Sequence, residues 1–436
     1  MWTGNANIGM APRELTADDV AASFERRQTR PGWKYPQFDT ITATGRYTMV
    51  WEWNMYDANW PWELGCGIAC AVMAPESVAA GPDDWRNAVG TGAFIMTNYV
   101  SGSAVTYERN PDYWGTTTIN GKVYQTPFID KLVYPIIADE STCIAALRTG
   151  TIDWWPRVKL VFEDDLSKTC PDLVQLHYLT GRVQYFRVNR LDTPYLSNRD
   201  VRRALMVAVD FTAIRDVVYE QGDIYGWPLG RGVPGATLLE DLPAEASVLY
   251  SFNPTLARQM IADAGYPNGF SFTIMVGQEP EMRDLATMCA GYWADVGVTA
   301  NIQVTDPAAK SAADNDRRYD MSGGVFTVIN PYVVLSLLKA DSTGSTFTMA
   351  EGTHDLYMDM LSTVDPVSRT QKIHDLALFM LEDAGWIPFS NPYNLNCYWP
   401  WIQNYYGEID CGYYHATPML KTLWIDQDLK KALGYK

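Results

Sequence analysis

The chain has 436 residues, long enough for two or three domains at roughly 150 residues each, so one small core is excluded. Hydrophobic residues make up 47% and charged residues 19%, the balance of a folded globular protein and not of a disordered or fibrous one. With 34 Lys and Arg against 51 Asp and Glu the net charge is −17, which repels the phosphate backbone and makes nucleic acid a poor partner.

Taken in order, Thr16 reads as a helix N-cap, with Asp18 and Asp19 in the first turn and an apolar stripe of Val20, Ala21 and Phe24. Residues 41–53 alternate β-branched and aromatic side chains in the manner of one or two strands, and Trp51, Trp53, Tyr56, Trp60 and Trp62 crowd together. The glycine-marked turn at 90–92 feeds a hairpin that closes on Asn110-Pro111-Asp112-Tyr113-Trp114. An apolar strand over 129–137 precedes a helix over 139–149 that Gly150 stops. Strand 183–189, helix 199–209, helix 254–264, strand 270–276, helix 282–296, strand 298–304 and helix 367–383 follow. The alternation predicts a mixed α/β architecture.

Catalysis needs a nucleophile with a base, a paired set of carboxylates or a metal, and the four histidines stand apart from such partners in the sequence. The spacings of nucleophile elbows, zinc-binding helices and phosphate loops are absent, so no catalytic residue, metal ligand or cofactor is assigned. The seven cysteines fit no zinc spacing. Cys66 with Cys70, or Cys397 with Cys411, could form disulfides, and burial as small hydrophobes is the alternative. No apolar run reaches the roughly 20 residues that span a bilayer, and the first residues lack the pattern of a signal peptide.

Six segments, in order, resemble those of the peptide/nickel-binding solute-binding proteins, family 5. They are 15–26 (LTADDVAASFER), 90–94 with 107–114 (GTGAF and YERNPDYW), 145–153 (AALRTGTID), 200–210 (DVRRAL with AVD), 257–266, and 382–388 (EDAGWIP). The resemblance implies an α/β, two-lobed type II periplasmic-binding-protein fold with an extra small domain. It also implies the work of an ABC importer's substrate-binding subunit, a monomer that captures an oligopeptide and delivers it to membrane permease subunits. An oligosaccharide is the alternative ligand, and an enzyme with a sugar cleft ranks last. Because the family's first strands precede the segment that starts here at residue 15, the expected chain is N-terminally truncated, its leader missing and its location periplasmic or extracellular. An open edge in the first lobe's sheet is expected with it. Expected limits are 1–88 for the remnant of the extra domain, 89–182 with 402–436 for the first lobe, and 183–401 for the second. Paired crossings are expected near 181–189 and 400–404.

In the family's peptide binders an aspartate before a proline of the second lobe holds the ligand's ammonium, and the position that aligns with it here is near Thr327, with no carboxylate between Asp320 and Asp341. The expected ligand-binding residues are Trp51, Trp53, Trp60, Phe326, Thr327, Asn330, Tyr393 and Trp399, aromatic rings and amide or hydroxyl groups that suit a peptide or a sugar.

Overall fold

The computed structural model describes residues 1–30, 35, 37–66, 70–224, 227–327, 330–338, 352–409 and 417–435. The chain divides into two compact units: unit 1 holds 1–55, 59–177 and 395–436, and unit 2 holds 56–58 and 178–394. The N-terminal 88 residues thus cluster almost entirely with unit 1. The chain passes from one unit to the other at 177/178 and 394/395, a few residues ahead of both expected crossings.

Unit 1 begins with a capped helix. Thr16 and Asp19 form a capping box on the helix Ala17–Thr29, and the buried Asp19 also accepts from Trp2 Nε1 at 3.1 Å and from Arg13 Nη2 at 2.6 Å. Helix and hairpin pack through aromatic rings. The hairpin is Phe38–Gly45 paired with Thr48–Trp53, so the stretch read as one or two strands is two.

The glycine-marked hairpin is Phe94–Val100 and Ala104–Arg109, and the strand expected over 129–137 is Lys131–Pro135, which pairs with the second of these. Tyr99, Val100, Val133 and Tyr134 of this three-stranded sheet are exposed. The helix Glu140–Arg148 ends with Gly150 at φ 65°, the left-handed conformation glycine tolerates. Against that turn lies the C-terminal segment. Trp399 and Trp401 stack at 4.6 Å with Tyr435 on both, and Asp153 takes bonds from Trp401 Nε1 (2.8 Å) and Lys430 Nζ (2.9 Å).

Unit 2 is built on a five-stranded sheet in the order Val298–Val304, Phe270–Val276, Met321–Thr327, Arg182–Val188, Trp386–Pro388. The first three run parallel, and Arg182–Val188 is antiparallel to both its neighbours. Four strands therefore end, and one begins, at a single edge of the sheet. The parallel pair is joined through the helix Pro280–Asp295, as parallel strands require a crossover. The sheet's large core takes in Phe186, Leu205, Phe272, Trp293 and Ile387, with Trp293 Nε1 donating to the Leu205 carbonyl at 2.8 Å.

Cys143, Cys170, Cys289 and Cys397 are buried free thiols, and burial pushes Cys397 up to about 12. Cys411, named as its partner in a disulfide, lies outside the described residues. Among the described residues no helix is long and apolar enough to cross a membrane.

Candidate functional site at the carboxyl edge of the unit 2 sheet

In open α/β sheets the strands end where side chains and turns can converge on a ligand, outside the carboxyl ends. In unit 2 that edge is formed by the residues following Val304, Val276, Thr327 and Pro388, with the start of Arg182–Val188 between them.

An aromatic group stands there. Trp227 and Trp386 stack with centroids 4.8 Å apart, Tyr185 lies 3.9 Å from Trp386, and Phe326 meets Trp227 and Trp386 edge-on at 6.2 and 5.9 Å. Trp227, Trp386 and Tyr185 are buried, whereas Phe326, one residue from the strand end, is half-exposed. Burial raises the Tyr185 hydroxyl to about 12, so it stays a neutral donor. The inner rings hold Phe326 in place, and its remaining surface can meet an apolar group.

A short polar chain runs on the other face of the sheet, because Gln184 and Tyr185 are consecutive on one strand and point to opposite faces. Gln184 Nε2 donates to Glu281 Oε2 at 3.0 Å, and the buried Tyr219 hydroxyl donates to Gln184 Oε1. Burial holds Tyr219 well above the usual tyrosine range, with the Glu281 charge adding to it. Glu281 sits in the first turn of its helix, where a carboxylate is favoured by the helix dipole. The unit 2 sheet therefore carries an aromatic surface on one face, suited to an apolar side chain, and a fixed carboxylate on the other, suited to a cationic or amide donor.

The expected site residues fall into separate places. Phe326 and Thr327 end the strand Met321–Thr327, and Asn330 caps the helix Pro331–Leu338, accepting from Tyr332 N at 2.9 Å and Val333 N at 3.2 Å. Val328 and Ile329 lie outside the described residues. Tyr393, five residues beyond Pro388, donates its backbone N–H to the Gln221 carbonyl at 3.2 Å. These four share the unit 2 edge or its continuation.

The others belong to unit 1. Trp51 packs on Phe24 at 4.8 Å with its indole N–H buried and without a partner among the described residues, and Trp53 meets Phe38 at 4.5 Å. Trp60 is exposed. Trp399 is an interior residue whose Nε1 donates to the Leu147 carbonyl at 2.9 Å, so its ring is spent on unit 1 packing.

Sequence reasoning did not single out Tyr185, Gln184, Tyr219, Trp227, Glu281 or Trp386 for the site. Trp386 stood in a quoted segment, and Tyr185 in a predicted strand. Gln184 and Glu281 are 97 positions apart, and no local pattern marks their meeting.

Comparison with known families decides the chain's place. The model for bacterial extracellular solute-binding proteins, family 5 Middle, matches residues 13–345. The chain belongs to solute-binding family 5. Among curated relatives, this family 5 protein is 26% identical to the heme-binding protein A of Haemophilus influenzae, over 87% of this chain and 72% of that one. It is 25% identical to the periplasmic oligopeptide-binding protein OppA of Salmonella typhimurium, over 75% of this chain but only 60% of OppA. Among solved structures, the periplasmic binding protein DppA of Helicobacter pylori, in complex with the peptide STSA, superposes with a TM-score of 0.79 at 21% identity. The match covers 98% of this chain and 84% of that one, and it shows the shared fold. The expected two-lobed α/β fold of periplasmic binding proteins is thus the fold this family 5 protein has.

Proposed function

We propose that the chain is the extracytoplasmic substrate-binding subunit of an ABC importer and that its solute is an oligopeptide, handed to permease subunits in the membrane. The observation that carries this reading is the family match over residues 13–345, with a peptide-binding protein among the relatives. Unit 2 supports it chemically. Phe326 offers a ring face for a side chain, and Glu281, positioned by Gln184 and Tyr219, offers a carboxylate for an amine or amide donor. Working as a single copy in the periplasm or outside the cell belongs to the same reading.

Thermal unfolding of the full chain with a pool of di- to pentapeptides, and separately with a pool of malto- and cello-oligosaccharides, tests it. A solute that binds only the folded state at 100 times its Kd adds about 2.7 kcal/mol, enough to move the transition by several degrees. A rise with peptides and none with sugars is expected. A rise with the sugars alone would replace the peptide by the oligosaccharide.

A further inference from the structure

We infer that unit 2 carries a pocket for a free apolar α-amino acid, formed by Arg215, Asp223, Ile224, Leu229, Arg231 and Glu240. The pocket, of about 180 Å³, lies where the chain after the short helix Phe211–Ile214 winds back over the unit 2 core. That volume is far below the roughly 300–1,000 Å³ of sites for larger ligands and close to the roughly 150 Å³ that accepts one benzene-sized group. One amino acid fits it; an oligopeptide does not.

The lining has both the apolar and the charged parts such a ligand needs. Leu229 is buried in the core and Ile224 packs against the same core, giving an apolar side. Arg231 donates Nε to Asp223 Oδ2 at 2.9 Å, and Arg215 donates Nε to Asp216 Oδ1 at 2.7 Å. These bonds, with the Nη2 contacts to the same carboxylates, use one edge of each guanidinium. Both Nη1 groups carry no bond among the described residues and remain for a ligand carboxylate, the acceptor that an Arg fork suits best. Glu240 is exposed, its charge acts on Arg231, and it carries no hydrogen bond among the described residues. The two guanidiniums are matched by Asp223 and Asp216, and Glu240 adds a further negative charge, so a plain anion is disfavoured and a ligand that brings an ammonium with its carboxylate is favoured. The carboxylate goes to Arg231 and Arg215, the ammonium to Glu240, and the side chain to Leu229 and Ile224.

This inference is independent of the peptide reading, since an internal peptide residue has neither charge and a terminal one has only one of the two. The test is calorimetric titration of the full chain with L-leucine, leucinamide and N-acetyl-leucine. Leucine should bind, and each blocked form should bind at least roughly tenfold more weakly. Arg231→Gln should weaken leucine binding by a similar factor. Glu240→Gln should weaken leucine and leave N-acetyl-leucine unchanged, and because Glu240 is exposed its loss does not threaten folding. Absence of leucine binding at millimolar concentration overturns the inference. So does equal binding of all three compounds, or leucine binding indifferent to both substitutions. Failure of the peptide pool to bind would leave these results untouched.

Discussion

Arg202 is wholly buried, and all of its donor atoms are engaged. Nη1 donates to the Leu196 and Ser197 carbonyls, Nε to the Asp383 carbonyl, and Nη2 to that carbonyl and to Asp383 Oδ1 at 2.8 Å. Arg190 holds the other carboxylate oxygen at 3.0 Å. Removing one partner of such a set strands a buried charge, so Arg202→Ala should cost about 3–5 kcal/mol in urea unfolding, visible as a lower midpoint. A second network is tied to acid. Asp314 accepts from Ser322 at 2.7 Å and Lys310 at 2.9 Å and pairs with Arg187 at 2.6 Å. Burial pushes its carboxyl up, but Arg187, Ser322 and Lys310 outweigh that and hold it below its ordinary 3.8. A depressed carboxyl stabilises the fold above 3.8, and that stability is lost as pH falls through the lowered value. Asp314→Asn should therefore flatten the acid limb of a stability-against-pH curve; an unchanged limb would mean that other carboxyls govern it. At the edge itself, Phe326→Ala should weaken peptide binding roughly tenfold, about 1.4 kcal/mol, with little loss of stability, because its ring is half-exposed.

Two turns of unit 2 look alike in sequence and differ in what they tolerate. Gly265 and Gly269 both have positive φ, 98° and 71°, but a Cβ on Gly265 would meet open space while one on Gly269 would fall on the Gly297 carbonyl. Gly265→Ala should cost about 1 kcal/mol of backbone strain and Gly269→Ala at least twice that, measured by denaturant unfolding. The helix stops were legible beforehand: Gly150, Gly265 and Gly297 each close a predicted helix, because a left-handed residue after an amphipathic run is a local signal. Strands 270–276 and 298–304 were likewise readable, being apolar runs bounded by turns, and match Phe270–Val276 and Val298–Val304. What the sequence does not carry is pairing. The central place of Arg182–Val188, antiparallel between Met321–Thr327 and Trp386–Pro388, joins segments more than a hundred residues apart. For the same reason half of the expected site residues, all of them tryptophans, fall in unit 1: aromatic density marks rings that pack, as Trp399 on Trp401 does, as readily as rings that bind.

At the scale of the molecule, the segments that reveal the family are the ones that hold the units together. Asn110, in the NPDYW segment, is buried, donates to the Gly92 carbonyl at 2.9 Å and accepts from Asp112 N at 3.0 Å, locking the glycine turn of the unit 1 hairpin. Asp19 in the first helix and Arg202 in the fourth segment do comparable work. Such residues specify a fold, so they placed the chain in family 5 while saying nothing of the solute. The solute we propose is a peptide. Native mass spectrometry of the full chain, released from bound material after purification from a cell extract, measures it directly. The co-purifying mass is expected to fragment into amino-acid residues; a mass that fragments into hexose units, with no peptide bound, would rule the peptide out.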